Sequence, residues 1–381
     1  MLLPLAIDLL KRAELKQAGV RIRTIVIEQI YQLSLTAPNV KELNSLNCEI
    51  ETDHLGLIHA CQQPEGKLVV LCLDQRKQYR YHYCGVDTAD TLRRSSVRTI
   101  SMQHGGSSDN CIEDLASAAS DVMLVWGEKT YNELVQRHGV QPERTKLVGN
   151  PLHDGLSRLN RDEVLKKLFL RYPQLEAQFA TKRVALLATR LHSDYRDFPN
   201  ELEMYDTYMA HLYKSLDVSQ IFLIIKMHPL DSLEPNLYLR TVPNDNVKNS
   251  MLIFDPFDEL DVYSLLPLAD FVVTRASTVG EEALVLGRRV IAFDLLPEGP
   301  SKHHKHLTEY GNFSLVYANP ENDLRAALSS AASYPRELSP RVSSVVEKDL
   351  TYRLDGQSTQ RAADAILAQL FGASSHTIGD A

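Results

Sequence analysis

Short apolar runs alternate with helix-like patterns along most of the chain. The runs predict strands at Ile22–Ile27, Leu68–Leu73, Val97–Met102, Val122–Trp126, Thr145–Val148, Val184–Ala188, Ile221–Met227, Met251–Phe254, Phe271–Thr274 and Arg289–Phe293. The patterns between them predict helices at Asn110–Ser120, Glu128–His138, Glu201–Leu216, Asp258–Leu266, Thr278–Leu286 and Ser358–Phe371. Such alternation is typical of βαβ units around mostly parallel sheets. Continuous apolar runs such as Ile221–Met227 also indicate strands that are covered on both faces.

The charged segment Asp154–Lys182 has a helical pattern without a strand, and it divides the strands into two series. A chain of 381 residues is long enough for two domains. We therefore predict an α/β protein with two doubly wound, Rossmann-like domains, at residues 1–160 and 161–350. Residues 351–381 are expected to form a C-terminal helix and a frayed tail.

The charge and cysteine content exclude several classes of protein. The net charge of −8 lacks the basic excess of a nucleic-acid surface, so no nucleic-acid partner is expected. The five cysteines form no C-x-x-C pair and predict free thiols in a reducing compartment. The N-terminus lacks the features of a signal peptide, and no segment is apolar over about 18 residues, so a cytoplasmic protein is predicted. Transient peripheral contact with a membrane stays open.

The candidate chemistry follows the strands, because open α/β sheets bind ligands at the carboxyl ends of their strands. After Val97–Met102 comes Gln103-His104-Gly105-Gly106. The two glycines let the backbone approach a ligand closely, and His104 suits a general base or a hydrogen-bond donor to phosphate. The alternative is a simple turn with a hydrogen-bonded histidine.

Two strand ends in the second half supply basic groups. Lys226 and His228 lie two residues apart at the end of Ile221–Met227, where they could donate to a phosphate, and Pro229 fixes the turn after them. Arg190 follows Val184–Ala188 and would add a donor. The alternative for Lys226 is a side chain that only extends into solvent.

The segment after Phe271–Thr274 is the most informative. Ser277 or Thr278 can cap the helix that follows, and the N-terminus of that helix favours an anion. Glu281 and Glu282 fall in its first turn, where a carboxylate can accept from the two hydroxyls of a ribose. The alternative is an ordinary capped helix with acidic residues near its start.

Two weaker signals remain. Gly149 and Asn150 precede a proline at the domain junction and predict a turn that lines a ligand site. The group His303, His304 and His306 resembles a metal-binding tract, but it lacks ordered acidic neighbours. We therefore interpret it as a solvated loop.

Common cofactor motifs are absent from the sequence. It contains no G-x-x-x-x-G-K-[ST] loop and no G-x-G-x-x-G fingerprint. It also contains no D-x-D carboxylate pair and no G-x-S-x-G elbow. We expect neither a metal ion nor an organic cofactor.

Taken in order, these segments resemble the GT-B-fold glycosyltransferases and the related non-hydrolysing UDP-N-acetylglucosamine 2-epimerases. The resemblance rests on K-M-H-P, T-R-A-S-T-V-G-E-E-A and G-R-R-V-I-A-F-D between about Val184 and Asp294, with Q-H-G-G and V-G-N-P-L-H-D before them. Q-H-G with H-P and a late S-x-x-x-E also resembles bacterial surface-polysaccharide enzymes, which include CDP-glycerol glycerophosphotransferases and capsule-type Kdo or sialic-acid transferases. The resemblance implies two domains that face a cleft.

The resemblance also implies roles for single residues. His228 would contact the donor phosphate, supported by Ser277 and Thr278. Glu282, or else Glu281, would hold the donor ribose. His104 would be the catalytic base or an acceptor-side group, and Arg190 and Lys226 would neutralise the charge of the leaving group. One departure is that Ile22–Ile27 leads to Glu28-Gln29 without the glycine-rich loop usual in the first domain of these enzymes.

Three functions fit these observations. The first, which the sequence favours, is a metal-independent transferase that moves a sugar or polyol phosphate from a UDP, CDP or CMP donor to a glycan or lipid-linked acceptor. The second is a sugar-nucleotide 2-epimerase, which needs no acceptor. The third is a catalytically silent protein of the same fold that binds nucleotide or glycan.

Overall fold

A computed structural model of the chain describes residues 2–25, 38–51, 68–72, 74–76, 85–189, 199–227, 242–243, 251–254, 260–275, 277–296, 305–311, 313–316, 321–335, 337 and 339–372. It confirms the predicted α/β class with parallel sheets. The chain folds into two compact units. Unit 1 comprises Met1–Ser157 and Glu347–Ala381, and unit 2 comprises Arg158–Val346.

In the part of unit 1 that the structure describes, the strands form two parallel sheets. In the smaller sheet, β1 (Arg23–Ile25) pairs with β2 (Glu49–Glu51). The larger sheet has the order β3-β4-β5-β6, formed by Leu68–Leu71, Arg98–Met102, Val122–Val125 and Thr145–Leu147. The helices before the linker to unit 2 are α1 (Leu2–Lys11), α2 (Ala13–Gln17), α3 (Pro38–Ser45), α4 (Gly85–Arg94), α5 (Asp109–Ala116) and α6 (Glu128–Gln136).

The described residues of unit 2 form one parallel sheet of six strands. Its strands are β7 (Arg183–Ala188), β8 (Ile221–Lys226), β9 (Met251–Phe254), β10 (Phe271–Thr274), β11 (Arg289–Phe293) and β12 (Phe313–Val316). Its helices are α7 (Arg161–Arg171), α8 (Glu176–Thr181), α9 (Glu201–Ser215), α10 (Val262–Leu265), α11 (Val279–Val285) and α12 (Glu321–Ser333). The chain then returns to unit 1 through α13 (Pro340–Thr351), and α14 (Ser358–Phe371) belongs to unit 1. The strand order is β12-β11-β10-β7-β8-β9. It is the doubly wound order in which the direction of winding reverses once, between β7 and β10.

The apolar strands of unit 2 are covered on both faces, as their continuous runs predict. Every residue of β8 is buried. On one face Tyr208 and Leu212 of α9 and Leu328 of α12 pack against strand side chains that include Phe293. The helix α11 lies against β10 and β11. Burial on both faces explains why these strands read as unbroken hydrophobic segments.

Both ends of the chain contribute to the core of unit 1. Leu5 and Leu9 of α1 and Ile366 of α14 belong to one buried cluster with side chains of β4 and β5. Arg12 joins the two ends through its Nη1, which lies 2.6 Å from Asp364 Oδ1. The C-terminal helix is therefore an integral part of unit 1.

Local polar contacts change the bounds of two predicted helices. One helix ends earlier, and the other begins later, than the apolar pattern predicts. The helix expected at Asn110–Ser120 stops at Ala116, where the Ser117 hydroxyl donates to the Asp114 carbonyl at 2.5 Å. The helix expected from Asp258 begins at Val262, because the Asp261 carboxylate caps it by accepting from Ser264 N at 2.7 Å. Such caps satisfy backbone groups that the helix itself leaves open.

Short or weakly apolar elements escaped the sequence prediction. They are the strands β2 and β12 and the helices α3, α4, α12 and α13. Three or four residues, as in β2 and β12, are too few to establish a period. Among the described residues, no helix combines the length and apolarity needed to cross a bilayer.

Among the described cysteines, Cys48, Cys72 and Cys111 form no disulfide. Burial raises the pKa of Cys72 above its ordinary value. A raised pKa makes the nucleophilic thiolate scarce at neutral pH, so Cys72 acts as a small apolar side chain.

Candidate functional site

The carboxyl edge of the unit 2 sheet aligns the strand ends that the sequence singled out. Lys226 is in register with Ala188, and Ala188 is in register with Thr274. Since neighbouring strands lie about 4.8 Å apart, the backbones of Lys226 and Thr274 are about 10 Å from each other. The winding reverses between β7 and β10, and α/β sheets bind ligands at such a reversal. This edge is therefore the candidate site of unit 2.

Lys226 is buried at this edge, with 5% exposure. That burial contradicts the alternative of a lysine extended into solvent. Thr189, the residue after β7, donates its N–H to the Lys226 carbonyl at 3.1 Å and keeps the two strand ends together. Arg190, His228 and Pro229 lie outside the described residues, so their roles stay predictions.

A buried ion pair joins the ends of β10 and β11. Arg275 Nε donates to Asp294 Oδ1 at 2.7 Å, and the two side chains are 6% and 0% exposed. The same oxygen accepts from Leu296 N at 3.2 Å. Removing one partner of such a pair would leave an uncompensated buried charge, so the pair fixes the geometry of both strand ends. Neither residue was predicted as a site residue from the sequence, although the aspartate directly after V-I-A-F is a visible signal.

The start of α11 uses one of the two predicted capping residues. Ser277 Oγ accepts from Val279 N at 3.3 Å. Thr278 occupies the N-cap position, and its side chain makes no capping hydrogen bond. The helix itself has seven residues, and all six from Gly280 to Val285 are buried.

Glu281 and Glu282 are both buried in the first turn of α11, at 5% and 4% exposure. Glu282 Oε1 accepts from the Tyr263 hydroxyl at 3.1 Å. Burial, with the Glu282 carboxylate beside it, raises the pKa of Tyr263 well above its ordinary value. The phenol therefore keeps its proton and holds the Glu282 carboxylate in place as a donor. Nothing in the sequence marks Tyr263 for this contact.

His306 was wrongly assigned to a solvated loop. It is 5% exposed and lies on the 3₁₀ helix Lys305–Tyr310. Its Nε2 is 2.9 Å from Glu281 Oε1. The acidic neighbour that the local sequence lacks comes from 25 positions earlier in the chain. His303 and His304 lie outside the described residues.

In unit 1, the loop after β4 is held by Gln103. This buried side chain accepts from Trp126 N at 2.8 Å through Oε1, and its Nε2 reaches the carbonyls of Gly105 and Gly106 at 3.5 and 3.4 Å. Gly105 has a φ of +89°, a conformation that favours glycine. His104 is exposed at the tip of this loop. The loop thus presents one titratable side chain to solvent between Gln103 and Ser108, and the catalytic role of His104 stays a prediction.

Asp74 is a second buried polar centre beside this loop. Its carboxylate accepts from Ser101 Oγ at 2.6 Å and from Ser120 Oγ and N at 2.5 and 3.0 Å. These bonds tie the segment after β3 to β4 and to the turn before β5. Asp74 is fully buried, and it was not predicted from the sequence.

The segment around Gly149 and Asn150 contacts the C-terminal part of unit 1. Asn150 Nδ2 and Thr351 Oγ1 each lie 2.9 Å from a ring nitrogen of the buried His153. Gly149 has a φ of +87°, and a Cβ there would lie 2.4 Å from Ser358 Oγ. The glycine is therefore needed for close packing against the start of α14. The predicted ligand contacts of Gly149 and Asn150 stay predictions.

Two further features bear on alternative sites. A cavity of about 450 Å³ lies at the amino ends of β7 and β8, lined in part by Lys182, Arg183 and Gln220. It is at the opposite edge of the sheet from the candidate site, where parallel α/β folds seldom bind ligands. Within the described part of the chain, no three His, Cys, Asp or Glu side chains are grouped to hold a metal ion.

Comparison with solved structures supports the architecture. S. aureus MnaA in a co-structure with UDP superimposes with a TM-score of 0.63 at 13% identity, over 100% of this chain and 96% of that chain. The Methanocaldococcus jannaschii UDP-GlcNAc 2-epimerase gives 0.60 at 16% identity, over 96% of both chains. A glycosyltransferase from Rickettsia africae gives 0.55 at 11% identity, over 95% of this chain and 94% of that chain. No curated protein matches this chain in sequence.

The parallel sheets, the two units and these likenesses define a two-domain α/β protein of the GT-B-like class. The sequence profile of the UDP-N-acetylglucosamine 2-epimerase family matches residues 97–364, more than two thirds of the chain. The chain therefore belongs to the UDP-N-acetylglucosamine 2-epimerase family.

Proposed function

We propose that unit 2 binds the UDP part of a nucleotide sugar at the carboxyl edge of its sheet. The observation that carries this proposal is the buried Glu282 carboxylate in the first turn of α11, where it accepts a hydrogen bond from Tyr263. The family to which the chain belongs supports the same assignment. A carboxylate has two oxygens and can accept from both hydroxyls of a ribose. Relatives of the same fold bound to UDP or UDP-GlcNAc support the choice of nucleotide.

The reaction that fits best is inversion at C2 of the UDP-linked N-acetylhexosamine. A base takes the proton from C2, the C2–H electron pair forms a C1=C2 double bond, and the C1–O bond breaks with its electrons leaving on UDP. A proton then returns to the opposite face of C2 while a UDP oxygen bonds to C1 again, so substrate and product carry the same bond to UDP. His104 is the proposed acid–base residue, because imidazole can take and return a proton near neutral pH. Lys226 and Arg190, with His228, Pro229, Ser277 and Thr278, are the proposed surroundings of the phosphates.

Incubation with UDP-GlcNAc in D₂O tests the reaction. We expect proton NMR to report the C2 epimer and loss of the C2 proton signal as deuterium enters, without any acceptor. His104→Gln should slow both epimer formation and deuterium exchange by at least about 100-fold, since general acid–base groups contribute at least that factor. Binding of UDP-GlcNAc without epimer and without exchange would contradict the epimerase assignment.

A binding measurement tests the site separately from the reaction. Glu282→Gln should weaken UDP binding about 10- to 100-fold in calorimetry, because hydrogen bonds to a charged acceptor contribute about 1.5–3 kcal/mol. The matched control is Glu203→Gln, on the exposed side of α9. Equal affinities of the Glu282 and Glu203 variants would remove Glu282 from the site.

A transferase is the second candidate. Its support is His104, the one titratable side chain between Gln103 and Ser108, which is exposed and could deprotonate an acceptor hydroxyl. For a sugar donor the C–O bond to the nucleotide would break, and for a polyol-phosphate donor the P–O bond between the two phosphates would break. The acceptor oxygen would bond to the transferred group, and the nucleotide would leave with the electron pair. Release of UDP, CDP or CMP only after a glycan or lipid-linked acceptor is added would favour this candidate. Binding without either reaction would indicate a silent binding protein.

A further inference from the structure

Glu281 and Glu282 are adjacent, but their carboxylates have different partners. Successive residues of a helix point about 100° apart. Glu282 meets Tyr263, which precedes β10, whereas Glu281 meets His306, which follows β11. The two carboxylates are therefore unequal: among the contacts of the described residues, Glu281 bonds an imidazole and Glu282 a phenol.

The contact between Glu281 and His306 fixes which nitrogen carries a proton. An ionised carboxylate can only accept, so the hydrogen in the 2.9 Å contact sits on His306 Nε2. In the neutral ring, Nδ1 is then a bare lone-pair acceptor. A second N–H at Nδ1 would be a buried donor that lacks an acceptor among the described residues, because Nδ1 has no hydrogen-bond partner there.

The buried Nδ1 calls for a donor. A buried polar atom left without a hydrogen bond costs about 1–3 kcal/mol, and native structures rarely tolerate this. The His306 side chain is 3% exposed, so bulk solvent does not satisfy it. Ionised phosphates offer only acceptors, whereas ribose and hexose hydroxyls offer donors.

We infer that His306 is a ligand-binding residue whose Nδ1 accepts a hydrogen bond from a hydroxyl of the bound nucleotide sugar. Glu281 is the positioning residue that orients the ring, and Glu282 remains the carboxylate for the ribose. This division of roles rests on the proposed binding of a uridine nucleotide to unit 2. It adds to the site a side chain that accepts a hydrogen bond from a ligand hydroxyl, and it explains why Glu281 is buried beside His306.

Two substitutions separate the nitrogens of the ring. The glutamine amide in His306→Gln can reach the position of Nε2 and keep the contact with Glu281, but it leaves no acceptor at the position of Nδ1. The shorter amide in His306→Asn can place an oxygen near Nδ1 but loses Glu281. We expect UDP-GlcNAc, which carries both the ribose and the hexose hydroxyls, to bind about tenfold more weakly to His306→Gln, the equivalent of one lost hydrogen bond, and to lose less affinity for His306→Asn. Any result other than the larger loss in His306→Gln overturns the inference.

Three ligands identify the hydroxyl. If it belongs to the ribose, the penalty of His306→Gln is present with UDP and absent with 2′,3′-dideoxyuridine diphosphate. If it belongs to the hexose, the penalty appears only with UDP-GlcNAc. If His306→Gln weakens the binding of UDP and of the dideoxy nucleotide by the same factor, a hydroxyl is excluded as the partner and the assignment is overturned.

NMR of the unaltered protein gives an independent readout. With ¹⁵N-labelled histidine, the His306 Nδ1 signal should lie in the unprotonated range and move upfield when UDP or UDP-GlcNAc is added, as expected for a newly hydrogen-bonded acceptor. Glu281→Gln should preserve this response, because an amide oxygen still accepts from Nε2, and Glu281→Ala should weaken it. The control is Thr308→Ala, which removes only a hydroxyl bond to the Lys305 carbonyl in the same 3₁₀ helix.

The outcomes distinguish this inference from the proposed function. If the wild-type protein binds neither UDP nor UDP-GlcNAc, the proposed function is wrong, and the role of His306 falls with it. If the wild type binds and the Nδ1 signal does not respond, only the role of His306 is wrong.

Discussion

At the scale of the residue, Glu281 and Glu282 show that two identical side chains in one helical turn can have different roles. The sequence offers two identical carboxylates in one helical turn. Their partners come from 25 and 19 positions away, so no local pattern can assign them. His306 was misjudged for the same reason: its acidic neighbour is near in space and distant in sequence.

A second residue-scale contact has a consequence for acid stability. Arg76 forms a two-pronged ion pair with Asp90 on α4, and this hydrogen bonding lowers the pKa of Asp90 below its ordinary value. Because the folded-state pKa is the lower one, the unfolded chain takes up the proton first as the pH falls. The pair therefore stabilises the fold above about pH 4, the unfolded value, and the stabilisation is lost as the pH drops through the folded value.

We predict that Asp90→Asn lowers the free energy of unfolding at pH 7 by less than about 1 kcal/mol. The effect is small because the two side chains are 44% and 28% exposed and water screens them. Urea unfolding from pH 7 to pH 3 should report a difference from wild type that shrinks with acidification. The control is Asp87→Asn, an exposed residue on the same helix. A difference that grows at low pH would contradict the sign of this argument.

At the scale of the element, the segment V-G-N-P-L-H-D fastens the last helix to unit 1. The Asp154 carboxylate accepts from Ser358 N and Thr359 N, each at 2.7 Å. These are open N–H groups of α14, whose own N-cap, Gln357, makes no side-chain capping bond. Asp154 therefore caps a helix that begins 204 positions later in the chain, and its charge also suits the positive end of that helix.

We predict that Asp154→Ala destabilises unit 1 by about 1–2 kcal/mol, the usual range for a lost cap. Asp154→Asn should cost less, because its amide oxygen still accepts one bond. Thermal or urea unfolding measures both variants. Asp162→Ala serves as a control, since this exposed carboxylate also lies in the first turn of a helix. Equal stability of Asp154→Ala and the control would mean that the cap contributes nothing.

At the scale of the whole molecule, the two units differ in how the chain builds them. Unit 2 is continuous, from Arg158 to Val346, whereas unit 1 is closed by residues from both ends of the chain. Ala362, Ala363 and Ile366 of α14 are buried in the cluster that holds β4 and β5. Unit 1 therefore cannot complete its core until the end of the chain is available.

We predict that a chain ending at Gln357, which lacks α14, loses the core of unit 1 and keeps that of unit 2. The lost apolar burial is on the order of 5 kcal/mol, comparable with the stability of a whole domain. Hydrogen exchange should become fast in β4 and β5 and stay slow in β7 and β8. A chain ending at Gly372 is the control and should behave like the full protein. Slow exchange in β4 and β5 of the shorter chain would refute the role given to α14.

The sequence by itself determined the α/β class and most strands, because these follow from local patterns, and it predicted where ligands would bind. Strands buried on both faces must be continuously apolar, and ligands of such sheets meet the residues after the strands. The strand-end segments at Lys226, His104 and Ser277 were found in this way.

Only the tertiary structure decided what the buried polar groups do. The pairing of Arg275 with Asp294, of Glu281 with His306 and of Asp154 with the start of α14 joins residues that are far apart in the chain. A buried charge or N–H group must find a partner, and the fold, not the neighbouring residues, supplies it.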